Sequence, residues 1–260
     1  MKAEHPDDPE FIKSLAKGLA VIEAFDADAP QMTLSRIASK VGLSPGSARR
    51  VLLTLTTLGY VGYSEEDKRY HLAARTLQLG YTYLMTLPAL NLLQPRLSEL
   101  SDKLNESCSI MMLVDREVVC VARATARRLE RDYMTVGTRF PAHASSTGKL
   151  LLGAMSDEEF SALYEGITTL PEVTPFTVRS VATLREQARA AYQKGWNLVD
   201  QETAIGMASV AVPLVVKGRV RYGLSTSATL KYEGSQFVDR YLPELKQAAR
   251  AMQELLDARQ

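Results

Sequence analysis

Arg49 and Arg50 are the residues of this 260-residue chain whose type and setting point most directly to chemistry. Ser47, Thr54 and Thr57 recur beside them at helical spacing, while Ala48, Val51, Leu52, Leu55 and Leu58 hold the opposite side. A helix showing guanidinium and hydroxyl groups on one side matches guanine edges and phosphates of duplex DNA. The plainer reading is a helical hairpin with surface arginines. A second set consists of small hydroxyl residues: Ser145-Ser146-Thr147-Gly148, Gly206-Met207-Ala208-Ser209 and Ser225-Thr226-Ser227. The first reads as a helix start, where free N–H groups and the dipole favour an anion. The glycine of the second lets backbone approach a small molecule closely. The third puts two hydroxyls on one side of a strand. Arg123 and Arg139 could add a guanidinium to such a site. A carboxylate of the same chain is the more ordinary partner for both. The cluster Arg123, Arg127, Arg128 and Arg131 reads as a solvated loop or a dimer contact.

Catalysis finds little support. Of the three histidines, His5, His71 and His143, only His143 lies near hydroxyl nucleophiles, Ser145 and Ser146. A serine two residues from a histidine is no triad, and no G-x-S-x-G run occurs. There is no phosphate loop and no HExxH. Cys108 and Cys120 match no zinc spacing and read as buried thiols. No catalytic residue, metal or cofactor is expected.

The elements that must hold the arginines are legible. Thr33 to Val41 forms a short helix with Leu34, Ile37, Ala38 and Val41 on one face, and Gly42 ends it. Ser44 is an N-cap and Pro45 the first helical residue. Gly59 stops the second helix. Strands at Tyr60 to Tyr63 and Arg69 to Leu72 follow, joined by Ser64-Glu65-Glu66-Asp67-Lys68. Two helices, a tight turn and a two-stranded wing describe a winged helix-turn-helix, whose second helix enters the major groove. The expected DNA contacts are Ser44, Ser47, Arg49, Arg50, Thr54, Lys68 and Arg69. A preceding helix, Phe11 to Phe25, turns Leu15, Leu19, Ile22 and Phe25 inward. The boundaries follow: an acidic, disordered tail at 1–10, a DNA-binding domain at 11–73, a linker helix at 74–88 and a second domain at 89–260.

Arg75 to Leu87 reads as the connecting helix, with Leu77, Gly80, Tyr81 and Leu84 on one side and Pro88 breaking it. Ala89 to Asn105 carries Leu90, Leu93, Leu97, Leu100 and Leu104, a stripe suited to packing on a sheet of its own domain. Pro95 kinks that helix or delays its start. Strands are expected at Ser109 to Val114, Glu117 to Ala124, Arg131 to Val136, Trp196 to Asp200, Ala208 to Val216 and Arg219 to Thr226. Asp115-Arg116 and Lys217-Gly218 read as hairpin turns. Helices are expected at His143 to Met155, at Leu184 to Lys194 behind a Thr183 cap, and at about 236–257. The class is α+β with a largely antiparallel sheet.

Net charge is +1, so overall charge does not advertise nucleic acid. Between Phe11 and Tyr60, six basic residues stand against three acidic ones, which makes a modest footprint. Binding through two half-sites compensates, so at least a dimer is expected. No apolar run approaches a membrane span, and the first residues have no apolar signal core. A cytoplasmic protein without a membrane partner is the expectation.

Several stretches together resemble the IclR family of bacterial transcription regulators, over nearly the whole chain. They are Phe11 to Ile22, Ser44 to Leu58, Gly59-Tyr60-Val61 with Tyr70-His71-Leu72, Gly137 to His143 with Ser146 to Leu151, and Gly206 to Pro213. The first helix is most similar to the branch controlling protocatechuate, 4-hydroxybenzoate and related aromatic-acid catabolism. The resemblance implies a GAF-like effector domain, dimers or tetramers, and DNA binding switched by a small, often acidic metabolite. It carries Ser146, Thr147, Met207, Ser209, Ser225 and Ser227 over as pocket residues, with Asp200 and Glu202 flanking. Some relatives carry cysteine at the Ser209 position. The expected partners are double-stranded operator DNA, a small carboxylate effector, further copies of the chain and RNA polymerase. The rivals are a constitutive DNA-binding protein without an effector and a hydrolase.

Overall fold

The computed structural model describes residues 9–26, 28–86, 88–126, 134–229 and 234–257. They fall into two compact units, residues up to 86 and residues from 87 onward. Most of the acidic tail, Arg127, Arg128, Arg131 and the start of the strand expected at Arg131 lie outside the described residues.

The first unit runs α1 (Lys13–Glu23), β1 (Gln31–Met32), α2 (Leu34–Lys40), α3 (Pro45–Thr57), β2 (Val61–Ser64), β3 (Arg69–Leu72) and α4 (Leu77–Met85). Local chemistry sets the boundaries. Thr33 caps α2 by accepting from the Arg36 N–H, and Ser44 caps α3 by accepting from the Ser47 N–H. Gly42 and Gly59 take φ of +66° and +78°, the left-handed turns that end each helix. β1, β3 and β2 form a three-stranded antiparallel sheet in that order. Gly62 stands opposite His71, whose ring occupies the space a Cβ would need. Val21, Met32, Ile37, Leu52, Leu55 and Val61 make the core.

One expectation fails here, the inward face of α1, and one element, β1, was missed. Leu15 and Leu19 are 60% and 48% exposed. Val21 and Ala24 close the core instead, and the two leucines line a groove between α1 and α3 with Val51 and Leu58. Leu77 and Tyr81 of α4 are exposed as well. Strand β1 is too short to leave a pattern in the sequence; its pairing with β3 defines it.

The second unit contains α5 (Pro88–Leu104), β4 (Cys108–Val114), β5 (Glu117–Ala124), β6 (Arg139–Pro141), α6 (Ser146–Gly153), α7 (Asp157–Leu163), α8 (Val181–Lys194), β7 (Asn197–Asp200), β8 (Met207–Val216), β9 (Arg219–Thr229) and α9 (Gly234–Asp257). The six strands form one antiparallel sheet in the order β6-β5-β4-β9-β8-β7. The leucine stripe of α5 packs with Phe237, Tyr241, Leu245 and Met252 of α9 against residues of β4, β5, β8 and β9. A second core gathers Met111, Val118 and Cys120 with Leu151, Leu152, Phe160 and Leu184 of α6, α7 and α8. Apolar side chains on both faces explain why β4 reads as a nearly continuous apolar run.

Pro88 opens α5 rather than only closing α4, a position that suits a residue without an N–H. Pro95 sits within α5 on its exposed side, and the helix continues through it. Met134 to Val136 form no strand; the short edge strand is β6, one turn further on. Ser180, not Thr183, caps α8, and Thr183 supplies the N–H it accepts. Helix α7, opened by a Ser156–Glu159 capping box, was not expected.

Candidate functional site

In the first unit, α3 presents Arg49 and Arg50 to solvent. Its inner face, Ala48, Leu52 and Leu55, is buried, so the arginines cannot turn inward. Ser44 is engaged as the cap and gives its own proton to Ser47 Oγ at 3.1 Å. Thr54 returns its hydroxyl proton to the Arg50 carbonyl at 3.0 Å, and Thr57 does the same to Leu53 at 2.9 Å. These hydroxyl protons are spent within the helix rather than standing ready for a base. Arg75 Nη1 donates to the Leu58 carbonyl at 2.6 Å, capping the end of α3, and stacks over Tyr60. At the wing tip, Lys68 forms an exposed pair with Glu65 at 2.7 Å. Such a pair is worth little in water, so a phosphate can replace the carboxylate. Arg69 is exposed at the start of β3.

In the second unit, a cavity of about 520 Å³ opens between the sheet and the start of α6. Strand register builds its floor. Arg123 on β5 stands opposite Ser109 on β4, and Ser109 opposite Ser225 on β9. Ser227 on β9 stands opposite Ser209 on β8. Residues two apart on a strand share a face, so Ser225 and Ser227 enter the cavity while Thr226 turns away to the Ser107 carbonyl. Ser209 donates to Ser146 Oγ at 2.8 Å, tying the sheet to the first residue of α6. Ser145 caps that helix by accepting from the Gly148 N–H. Close approach is possible because two side chains are missing: a Cβ on Gly223 would sit 2.4 Å from Thr147 Cγ2, and one on Gly148 2.1 Å from the Ala142 carbonyl oxygen. Met111, Met134, Phe140, Val199 and Met207 supply apolar wall.

Seven of the ten residues expected at this site line the cavity: Ser146, Thr147, Met207, Ser209, Ser225, Ser227 and Arg123. The other three do not. Arg139 reaches Glu117 Oε2 from Nε at 2.7 Å and from Nη2 at 2.6 Å, the intrachain pairing that was its plainer reading. Its strand neighbour Phe140 enters the cavity instead. Asp200 is exposed because Val199, its neighbour on β7, takes the inward direction. Glu202 turns behind the cavity, where it pairs with the buried Lys149 and accepts from the Val178 N–H at 3.2 Å. Lys149 also reaches Gln187 at 2.8 Å, and burial holds its pKa below the usual lysine value despite Glu202. Ser109, Met111, Met134, Thr138, Phe140, Thr203 and Ala204 also line the cavity and were missed. Ser109 left a signal, a lone hydroxyl inside the apolar run of β4. Thr138 and Thr203 sit in loops and left none.

Arg123 Nη1 donates to Ser109 Oγ at 2.6 Å. The described lining residues include six serines, three threonines and this one guanidinium, with no carboxylate. Such a lining favours an anion with an apolar body. His143 does not serve a serine: its Nε2 meets the Pro171 carbonyl at 2.9 Å, and burial lowers its pKa from 6.5. Cys108 and Cys120 are buried, and burial pushes the Cys108 thiol up to about 12, away from nucleophilic use. Among the described residues no cluster suits a metal ion, and no helix is long and apolar enough to cross a membrane.

Comparison with known proteins gives this geometry a context. Residues 14–65 match the IclR helix-turn-helix domain, and residues 81–254 match the C-terminal domain of the bacterial transcriptional regulator IclR. The Pca regulon regulatory protein of Pseudomonas putida is 35% identical over 246 residues, which cover 94% of this chain and 84% of that protein. The p-hydroxybenzoate hydroxylase transcriptional activator of Acinetobacter baylyi is 32% identical, over 95% of this chain and 93% of the other. A crystal structure of an IclR homolog from Microbacterium hydrocarbonoxydans, complexed with 4-hydroxybenzoate, superposes with a TM-score of 0.77 at 25% identity. It covers 94% of this chain and 99% of that one. The relatives are transcriptional regulators, not enzymes, and two of them support the aromatic-acid branch. The chain belongs to the IclR family of bacterial transcriptional regulators, with a helix-turn-helix domain for DNA and a C-terminal effector domain.

Proposed function

We propose that residues 11–73 bind operator DNA, that residues 74–88 link them to the rest, and that residues 89–260 bind a small aromatic carboxylate that alters DNA binding. The observation that carries the effector reading is the cavity itself: one guanidinium, nine hydroxyl residues and an apolar wall, with no carboxylate among its described lining. The carboxylate of the ligand is met by Arg123 and by the Ser146 and Thr147 N–H groups at the start of α6. Met111, Met134, Phe140 and Met207 take the ring. The Microbacterium homolog that holds 4-hydroxybenzoate, and the two relatives named for aromatic-acid genes, supply the ligand class.

On the DNA side, Arg49 and Arg50 contact bases or phosphates, Ser44 and Ser47 set the start of α3, and Lys68 and Arg69 reach the backbone from the wing. One such domain has a modest positive footprint, so the protein acts as a dimer or tetramer on a pseudo-palindromic site. Action in the cytoplasm belongs to the same reading, as does contact with RNA polymerase when the bound protein activates. The test is a thermal-shift screen of aromatic and aliphatic carboxylates, followed by operator binding with and without the best hit. A hit that raises the melting temperature and changes operator affinity is the expected result. Operator binding indifferent to every stabilising acid would make the chain a constitutive DNA-binding protein.

A further inference from the structure

We propose that Leu53 is a base-reading residue that contacts the C5-methyl group of one thymine in each half-site. The inference rests on α3 being the helix that enters the major groove. Leu53 is 67% exposed, on a helix whose other leucines except Leu58, just past its end, face the core. It lies four residues after Arg49 and three after Arg50, so the three side chains share one strip of surface. It does not line the apolar groove between α1 and α3. The hydroxyls around it are engaged: Thr54 donates to the Arg50 carbonyl and Thr57 to that of Leu53. Beyond the arginines, the strip therefore offers carbon rather than free donors. In the major groove the base-edge group that matches carbon is the thymine methyl. Four helical residues span about 6 Å, roughly two base steps. The thymine is expected about two base pairs from the position met by Arg49.

The test takes the full-length protein and a duplex selected from random sequence, then replaces each thymine singly by uracil. That change removes only the methyl group. At one position per half-site, uracil should weaken the parent about fourfold, the worth of one buried methyl group. Leu53→Ala should be indifferent there. Leu53→Gln should shift the base selected at that position to adenine, which glutamine pairs by two hydrogen bonds. The inference is overturned, with DNA binding left standing, if the parent ignores every uracil or if Leu53→Ala keeps the parent's uracil profile. A changed assembly of Leu53→Ala in light scattering, with that profile unchanged, would assign Leu53 to a protein contact instead. A parent that selects no duplex overturns the DNA reading beneath it as well.

Discussion

The two units set the cations proposed for binding in opposite surroundings. Arg49 and Arg50 stand in water on one helix, and the caps, turn and inner face that orient them all lie between Thr33 and Gly59. Arg123 is half-buried in a sheet, bonded to Ser109, and shares a cavity with hydroxyls carried by β8, β9 and α6. A face that meets a macromolecule can be built from one short stretch of chain. A site that must surround a small molecule needs walls on several sides, and those come from residues more than a hundred positions apart. Substitutions in one unit should therefore leave the other's binding intact, unless the effector signal itself is broken.

The largest effect is expected behind the cavity. Lys149→Met leaves Glu202 without its counter-charge in a largely buried position. It should destabilise the second unit by about 3–5 kcal/mol. Lys149→Met combined with Glu202→Gln should recover most of that. Urea unfolding of the single and double variants checks it; equal losses in both would mean the ion pair is not what holds the 201–206 loop.

Next comes Arg123→Met, which should cost the carboxylate effector about 2–3 kcal/mol while operator affinity without effector stays at the parent value. Calorimetry and a gel-shift titration give the two halves of that comparison. Arg50→Ala is the mirror experiment. It should weaken operator binding by about 1–3 kcal/mol at fixed salt and leave effector affinity unchanged. A variant that moves both affinities equally would break the division of labour.

The smallest effect is a pH dependence of stability. Burial, the leading cause, holds the folded pKa of His143 below 6.5 against the opposing hydrogen bond to the Pro171 carbonyl. Below pH 6.5 the unfolded chain takes up a proton that the folded chain still refuses. The contribution of His143 is therefore complete above pH 6.5 and is lost as pH falls toward the folded pKa, at no more than about 1.4 kcal/mol per pH unit. Melting temperatures of the parent and His143→Gln between pH 7.5 and 5 should converge or cross in that sense; parallel curves would count against it.

These contrasts also explain what the sequence disclosed. The Ser44-Pro45 start, the Gly42 and Gly59 stops and the Arg69 to Leu72 strand are local chemistry, and all are present in the structure. The inward face expected for α1 failed at Leu15 and Leu19, because periodicity marks an apolar side without saying what covers it. In the second unit, the serine segments were visible as small polar interruptions. Phe140 and Met134 were not, since a short edge strand and an irregular loop leave no period. Glu202 and Asp200 came from the family resemblance, and side-chain direction turned both away from the cavity. Arg139 illustrates charge ambiguity: sequence shows a guanidinium but not that Glu117 lies across the strand pair.

The most direct test of the account is calorimetric titration of the parent and Ser146→Asp with the best aromatic carboxylate from the thermal screen. A carboxylate fixed at residue 146 would occupy and repel the proposed anion position beside Ser209. The account predicts tight binding by the parent, no measurable binding by Ser146→Asp, and operator binding by the variant that persists but no longer responds to the acid. Equal affinity of parent and variant for the acid would contradict it and put the effector outside this cavity.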